Sequence, residues 1–318
     1  MHVDNFGTGE FSTRPSLPPM PPIQDRRLQL LRLASDVEAN PDNDDPLCFG
    51  SRLLAQLSLP HRDPGAVPEW VRRNNALTLT LTPGPVTVNG ERRRLYPYGV
   101  IPRYLLTWIT TEVVKTKSRT LELGGSLAGF LKEVGLNSSG ASGRRMHEQL
   151  QRLLVASLNI EDRREDERRR QIRGVNFNVA RSYELWFGID QADQPSLLPS
   201  TITLSEEFYA ETLRSPVKLN PRVLKAFAGS PMKIDMYTWL AFRTRNLSRA
   251  SVISWNQLSA QFGSDYAQQR QFKKKFLDHL DEVALFFPAK TLTRLPNGLR
   301  LNPRAVVLAS KNSGTLAG

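Results

Sequence analysis

The chain has 318 residues, with 43 Lys and Arg against 31 Asp and Glu, a formal net charge of +12 and an isoelectric point near 10.1. It holds no run of 18 or more apolar residues, and no segment joins a basic start to an apolar core and a small-residue cleavage site, so neither a membrane span nor a secretory leader is expected. Its one cysteine, Cys48, excludes an intramolecular disulfide and a multi-cysteine zinc site and fits a reducing cytoplasm. Between Arg214 and Arg304 there are 16 Lys and Arg but only 5 Asp and Glu, a local excess of +11. Charge concentrated in this way is the footprint of a polyanion binder; with no apolar segment to anchor it, a membrane surface is set aside.

In chain order, residues 1–25 carry RPSLPPMPP and little apolar periodicity, which predicts a disordered or extended arm, taken to residue 45. NPDNDDP (Asn40 to Pro46) alternates carboxylates but lacks the glycine and distal glutamate of an EF-hand loop, so a solvated turn is expected rather than a metal site. A helix through SRLLAQLSL should end at Pro60. In NNALTLTLTPGPVTVNGERRRL, Leu77, Leu79 and Leu81 share one strand face, and the Pro-Gly-Pro turn leads into a second strand. This small β-element reads as lying outside the two units that follow. Two roles are open to it: an edge offered to a second chain, or a cover for the first unit.

Residues Ile101 to Lys117 read as a helix opened near Pro102, TLEL as a strand, SLAGFLKEVGL as a short helix and SGRRMHEQLQRLLVASL as a longer one. LNIEDRREDERRRQIRGVNFNVARSYELWF then alternates like a long hairpin. The C-terminal half repeats this order. MKIDMYTWLAFRTRN is a helix, SWNQLSAQFG a short helix, SDYAQQRQFKKKFLDHLDEVALFF a long basic helix and AKTLTRLPNGLRLNP a hairpin. Helix, turn, long helix and hairpin outline a winged helix-turn-helix, whose second helix normally lies in the DNA major groove. The duplication rests on element order, because no residue-level identity joins the halves. The expected class is therefore α+β, two tandem winged-helix domains at 46–190 and 191–304, with the arm at 1–45 and a tail at 305–318.

Periodicity separates the faces of the two long helices. Phe272, Phe276, Leu280, Val283 and Phe287 recur at spacings of three and four and form a core stripe. Ala267, Arg270, Gln271 and Lys274 then point the opposite way, with Lys275 flanking them and Lys273 nearer the core edge. On the first long helix Met146, Leu150, Leu153, Leu154 and Ser157 face inward, leaving Arg145, Glu148 and Arg152 outward with Arg144 beside them. Arg suits the O6/N7 edge of guanine, Gln the N6/N7 edge of adenine and Lys a phosphate. Glu148 suits a cytosine amine, or equally a pairing with Arg144 or Arg152 on the helix surface. Arg294 on the last hairpin joins the candidate DNA contacts. The run Glu161 to Arg170 reads either as a wing tip touching phosphate or a minor groove, or as a charged hairpin tip in solvent. For every one of these residues the alternative to DNA contact is an ordinary solvated basic face.

The four histidines, His2, His61, His147 and His279, form no His-x-His pair, and no G-x-x-x-x-G-K-[ST] motif occurs. No catalytic residue, metal or cofactor is expected, and His147 and His279 read as neutral surface histidines.

The strings YGVIPRYLLTWITTEVVKTKSRTLELGGSLAGFLKEVGL and MKIDMYTWLAFRTRN resemble the bacterial plasmid RepA replication initiator family, and the likeness in element order runs from about Asp45 to Pro303. The resemblance implies tandem winged-helix proteins, located in the cytoplasm with the nucleoid or plasmid. Such proteins bind repeated double-stranded DNA sites (iterons) at a plasmid origin, help open the duplex, and recruit host replication proteins such as the host initiator and helicase. It also implies a homodimer in equilibrium with monomer, joined through the N-terminal half and repressing its own gene. Carried over to this chain, Arg144, Arg145 and Arg152 fall on the first recognition helix and Arg270, Gln271 and Lys274 on the second. A stand-alone winged-helix transcriptional regulator with an effector pocket is the alternative reading, and a nicking enzyme would require a metal site assembled from distant carboxylates.

Overall fold

The computed structural model describes residues 22–88, 90–136, 140–165, 168–186, 200–245, 247–263 and 268–303, apart from 40–46. Residues 1–21 of the expected arm, the NPDNDDP turn and Ala267 lie outside them. The first element corrects part of the arm. Helix α1 (Pro22–Ala39) buries Leu30 and brings Arg26 to within 3.3 Å of Glu282, so tertiary docking supplies the stability that its weak apolar pattern withholds.

Next come β1 (Cys48–Gly50) and α2 (Arg52–Gln56), which Ser51 caps by accepting from Leu53 N at 3.2 Å. Helix α2 stops at Gln56 rather than at Pro60 because Leu57 is already extended. Four strands follow: β2 (Trp70–Asn74), β3 (Leu77–Thr82), β4 (Pro85–Val88) and β5 (Glu91–Arg94). Helix α3 (Val100–Thr116), β6 (Thr120–Glu122), α4 (Gly124–Glu133) and α5 (Gly140–Val155) precede the long hairpin of β7 (Ser157–Glu165) and β8 (Arg170–Asn178). Then β9 (Ala180–Glu184), β10 (Thr201–Leu204), α6 (Glu206–Arg214), β11 (Val217–Leu219) and α7 (Pro221–Ala226) lead into α8 (Pro231–Arg245). The last described elements are β12 (Ser251–Ser254), α9 (Trp255–Phe262), α10 (Gln269–Val283), and the hairpin of β13 (Leu292–Leu295) and β14 (Gly298–Leu301). The architecture is α+β.

Sheet pairing overturns the edge role considered for β3. The strand is central in a four-stranded sheet of order β2-β3-β7-β8, pairing with β7 from Leu77 opposite Asp162 to Thr82 opposite Ser157. Leu79 and Leu81 face the core, and both sets of backbone groups are taken by neighbours, so nothing is left to offer a second chain. The strand after Pro-Gly-Pro, β4, pairs with β5 alone, so this stretch is split between two sheets.

Helices α3 and α8 are buried on nearly all sides, and each is the central helix of its half. Buried threonines on them return their hydroxyls to the carbonyl one turn back, as Thr110 does to Leu106 and Thr238 to Ile234, so polar side chains are tolerated there. Charge joins the two helices. Arg103 of α3 donates from Nε and Nη2 to the carboxylate of Asp235 on α8, both at 2.7 Å, and to the carbonyls of Leu59, Pro60 and Gly99. His61 Nε2 meets the same carboxylate at 2.8 Å. The three side chains are only 4 %, 8 % and 8 % exposed. Burial, with Arg103 and Arg72 nearby, keeps the His61 pKa below its ordinary value, so the ring is neutral at pH 7 and Nε2 must carry the proton it donates. Asp235→Ala should cost about 3–5 kcal/mol, because it strands a buried guanidinium. Denaturant unfolding at pH 7 measures this, and a loss under 1 kcal/mol would mean that the halves do not depend on the pair.

Candidate nucleic-acid interface

The C-terminal basic helix is built on an aromatic base. Phe272, Phe276, Leu280 and Val283 of α10 are buried, and Phe276 packs on Trp255 and Phe262 with ring centroids 6.2 and 5.6 Å apart. Phe287, expected as the next residue of that stripe, is only half-buried, because the helix ends at Val283 and a 3-10 turn follows. Ser254 and Gln257 form a capping box that starts α9 at a fixed angle to β12. The face opposite the aromatic stripe carries Arg270, Gln271, Lys274 and Lys275, all exposed. None of their side chains makes an ion pair among the described residues. Lys273 differs, as its position nearer the core edge requires. Its ammonium lies 4.7 Å from the centre of the Trp255 ring and 3.4 Å from the Pro296 carbonyl, fastening the β13–β14 turn to the helix. Arg294 on β13 is half-exposed and paired with Asp281 of α10, so its charge is locally offset.

On α5, Met146, Leu150, Leu153 and Leu154 are buried as the periodicity requires, while Ser157, expected as the last residue of that stripe, instead opens β7. Arg144 and Arg145 are exposed. Arg152 is not, and its placement among the groove-facing residues is corrected. Its side chain is 9 % exposed, stacks at 5.6 Å on the Tyr98 ring, and reaches Glu148 at 3.4 Å and the Tyr96 carbonyl at 3.5 Å. The neighbouring Gln149 accepts from Tyr98 N at 2.9 Å. Residues 96–98 and strand β4 cover the last turns of α5, so only its first half is open to a ligand. Gly84 marks how tight that cover is, since a Cβ there would collide with the Val155 carbonyl.

A basic hairpin beside α5 was not singled out from sequence. Strand β5 presents Arg92, Arg93 and Arg94 to solvent; Arg93 pairs with Glu91 and Arg94 donates to the Pro83 carbonyl at 3.1 Å, leaving Arg92 without a partner among the described residues. Asn89-Gly90 between two alternating runs is the signal that finds this hairpin. The tip run Glu161 to Arg170 is largely self-neutralised, with Arg163 on Glu161, Arg164 on Asp162 and Arg170 on Glu165. Opposite charges two residues apart on one strand face, or across the turn, satisfy one another before any phosphate arrives.

These faces can hold a polyanion: planar guanidinium forks for base edges or phosphate, ammonium groups for phosphate, and one amide for adenine. Among the described residues no group of three or more His, Cys, Asp or Glu is placed to hold a metal ion, and no helix is long and apolar enough to cross a membrane. Burial keeps Cys48 protonated by pushing its pKa up. His147 and His279 are half-buried rather than surface residues. Burial, followed by the nearby Lys233 and Lys275, pushes His279 down to about 4 from 6.5. A depressed histidine binds fewer protons folded than unfolded, so its stability contribution is whole above pH 6.5 and is lost as pH falls toward 4. His279→Gln should flatten the fall in thermal midpoint over that window, a change read by melting at half-unit pH steps.

A family model described as plasmid encoded RepA protein matches residues 96–257, from the entry of α3 into α9. No curated protein matches the chain. Solved structures of RctB are among those similar to the chain. A structure of RctB domains 2–3 shares 11 % identity with a TM-score of 0.48, covering 81 % of this chain and 98 % of that one. A selenomethionine structure of domains 2 and 3 of RctB shares 10 % with a TM-score of 0.46, covering 80 % and 96 %.

Proposed function

The chain belongs to the plasmid-encoded RepA protein family, and from that premise we propose that it is a plasmid replication initiator whose two helix-helix-hairpin units act as tandem winged-helix readers of repeated double-stranded DNA sites at the origin. The observation that carries the DNA reading is the face of α10, where Arg270, Gln271, Lys274 and Lys275 stand exposed, with no ion pair among the described residues, over a fully packed aromatic base. Arg144 and Arg145 present the corresponding face in the first unit, within working domains of 46–190 and 191–304. Arg92 on the β4–β5 hairpin and Arg294 add phosphate contacts. Two readers on one chain suit a site of about two helical turns. Recruitment of the host initiator and helicase, self-repression as a dimer and a cytoplasmic, plasmid-associated location complete the proposal. They rest on family membership alone.

Counterion release scales with phosphate contacts, so with six or more of them affinity for an origin repeat should fall roughly a thousandfold between 50 and 200 mM salt. Fluorescence anisotropy at four salt concentrations gives the slope, and affinity indifferent to salt would remove the basic faces from the interface.

The side chains of α10 are expected to divide by role. Arg270→Ala should cost about 1–3 kcal/mol and relax base preference in one part of the site, whereas Lys274→Ala should weaken every sequence alike and lower the salt slope by about 1. A panel of point-mutated repeats separates the two. If both variants keep wild-type affinity and preference while Arg145→Ala loses them, the first unit is the main reader.

A further inference from the structure

A cleft of about 640 Å³ lies between the two halves, within the range of small-molecule sites. One wall is the inner face of the β7–β8 hairpin, with Arg173 and Val175; another is formed by Trp239 and Arg243 of α8 and Val252 of β12. None of the residues proposed to meet DNA lines it. The carboxylates around it are largely engaged. Glu211 takes Arg52 at 2.8 Å and Arg214 at 3.5 Å, and Asp162 takes Arg164 at 2.7 Å. Glu207 is exposed at its edge.

Arg173 and Arg243 remain, with no carboxylate partner among the described residues. Arg173, opposite Asp162 across the β7–β8 ladder, hydrogen-bonds among the described residues to the Gln171 side-chain oxygen, at 3.1 and 3.2 Å once that amide is oriented to suit its neighbours. Arg243 is the more telling. Among the described residues its Nε is buried with no acceptor, and its one hydrogen bond is from Nη2 to Ser251 Oγ at 3.5 Å. A buried guanidinium donor left unbonded is costly, and burial lowers the pKa of this group with no carboxylate to oppose it. Val175 and Val252, which line the same cleft, are 39 % and 53 % exposed, so it offers apolar surface as well as two cations.

We propose that this cleft binds a small organic phosphate, a monoester of about mononucleotide size, whose dianion is held by Arg173 and Arg243 and whose body rests on Val175 and Val252. Two guanidinium groups match a dianion in charge, and their forked donors match phosphate oxygens in geometry. Because the ligand touches the long hairpin of one half and α8 and β12 of the other, it fixes the angle between the two halves. Binding there is coupled to whatever both halves hold together.

Isothermal titration of the full chain with AMP in low salt tests this, with Trp239 emission as a second reading from the cleft wall. A saturable 1:1 isotherm is expected, displaced by inorganic phosphate and weakened at least tenfold in Arg243→Gln and in Arg173→Gln. Arg270→Ala and Lys274→Ala should bind AMP as the parent does. Should Arg243→Gln fail to fold, Arg173→Gln on the exposed hairpin carries the test. Absence of saturable binding, undiminished binding in folded Arg173→Gln, or loss of binding in Arg270→Ala instead would each overturn the proposal. The last of these would assign the nucleotide to the basic face of α10 and leave the DNA reading intact.

Discussion

The carboxylate of Asp235 is the point on which the rest of the molecule depends. All five N–H donors of Arg103 are used, two on Asp235 and the others on the carbonyls of Leu59, Pro60 and Gly99, so one guanidinium holds α3, the segment after α2 and α8 in a single arrangement. Burial alone would raise the Asp235 pKa, but Arg103 and His61 hold it below the usual carboxylate range, and the group stays ionised. Apolar packing between two buried helices tolerates small slides and rotations. A bidentate pair does not. The two candidate DNA-reading faces therefore inherit their relative position from a polar contact that includes no residue of either.

A contrast in burial explains why the basic faces are where they are. Helices α3 and α8 give up nearly every position to the core, whereas α5 and α10 bury one stripe and leave the other free. Lysine and arginine at the edges of that stripe are put to structural use. Lys273 spans Trp255 to the hairpin turn, and Arg152 sits over the Tyr98 ring. Near the core the long apolar stems pack and the charge finds a ring or a carbonyl, while one turn further round the same residue types meet only solvent.

Much of this was legible in the sequence, because it is written in local periodicity. The stripes Met146–Leu150–Leu153 and Phe272–Phe276–Leu280 located both helices and their exposed faces, and the alternation after Leu158 located the long hairpin. What escaped shares one cause. The cover on Arg152 comes from residues about fifty positions earlier, the partner of β3 lies about eighty positions later, and α1 is held by Glu282. His61 and Asp235 are separated by 174 positions, and nothing near either announces the other. Arg173 and Arg243 likewise share a cleft only because two halves meet. Periodicity reports which side of an element is buried, not what buries it.

The same long-range pairing has a meaning for synthesis. Strand β1 finds its partner only when Val217–Leu219 has emerged, and α1, which bonds to Arg222 and the Ala226 carbonyl as well as to Glu282, completes its docking with the last of these. At ordinary elongation rates roughly 10–50 s separate the synthesis of Arg26 from that of Glu282. Until then the early segments keep an unpaired strand and an undocked helix, and the Arg103 guanidinium has no carboxylate to meet. A nascent chain of this kind acquires its assembled form only after Val217–Leu219 and Glu282 have been made, and a product cut short before them lacks these contacts.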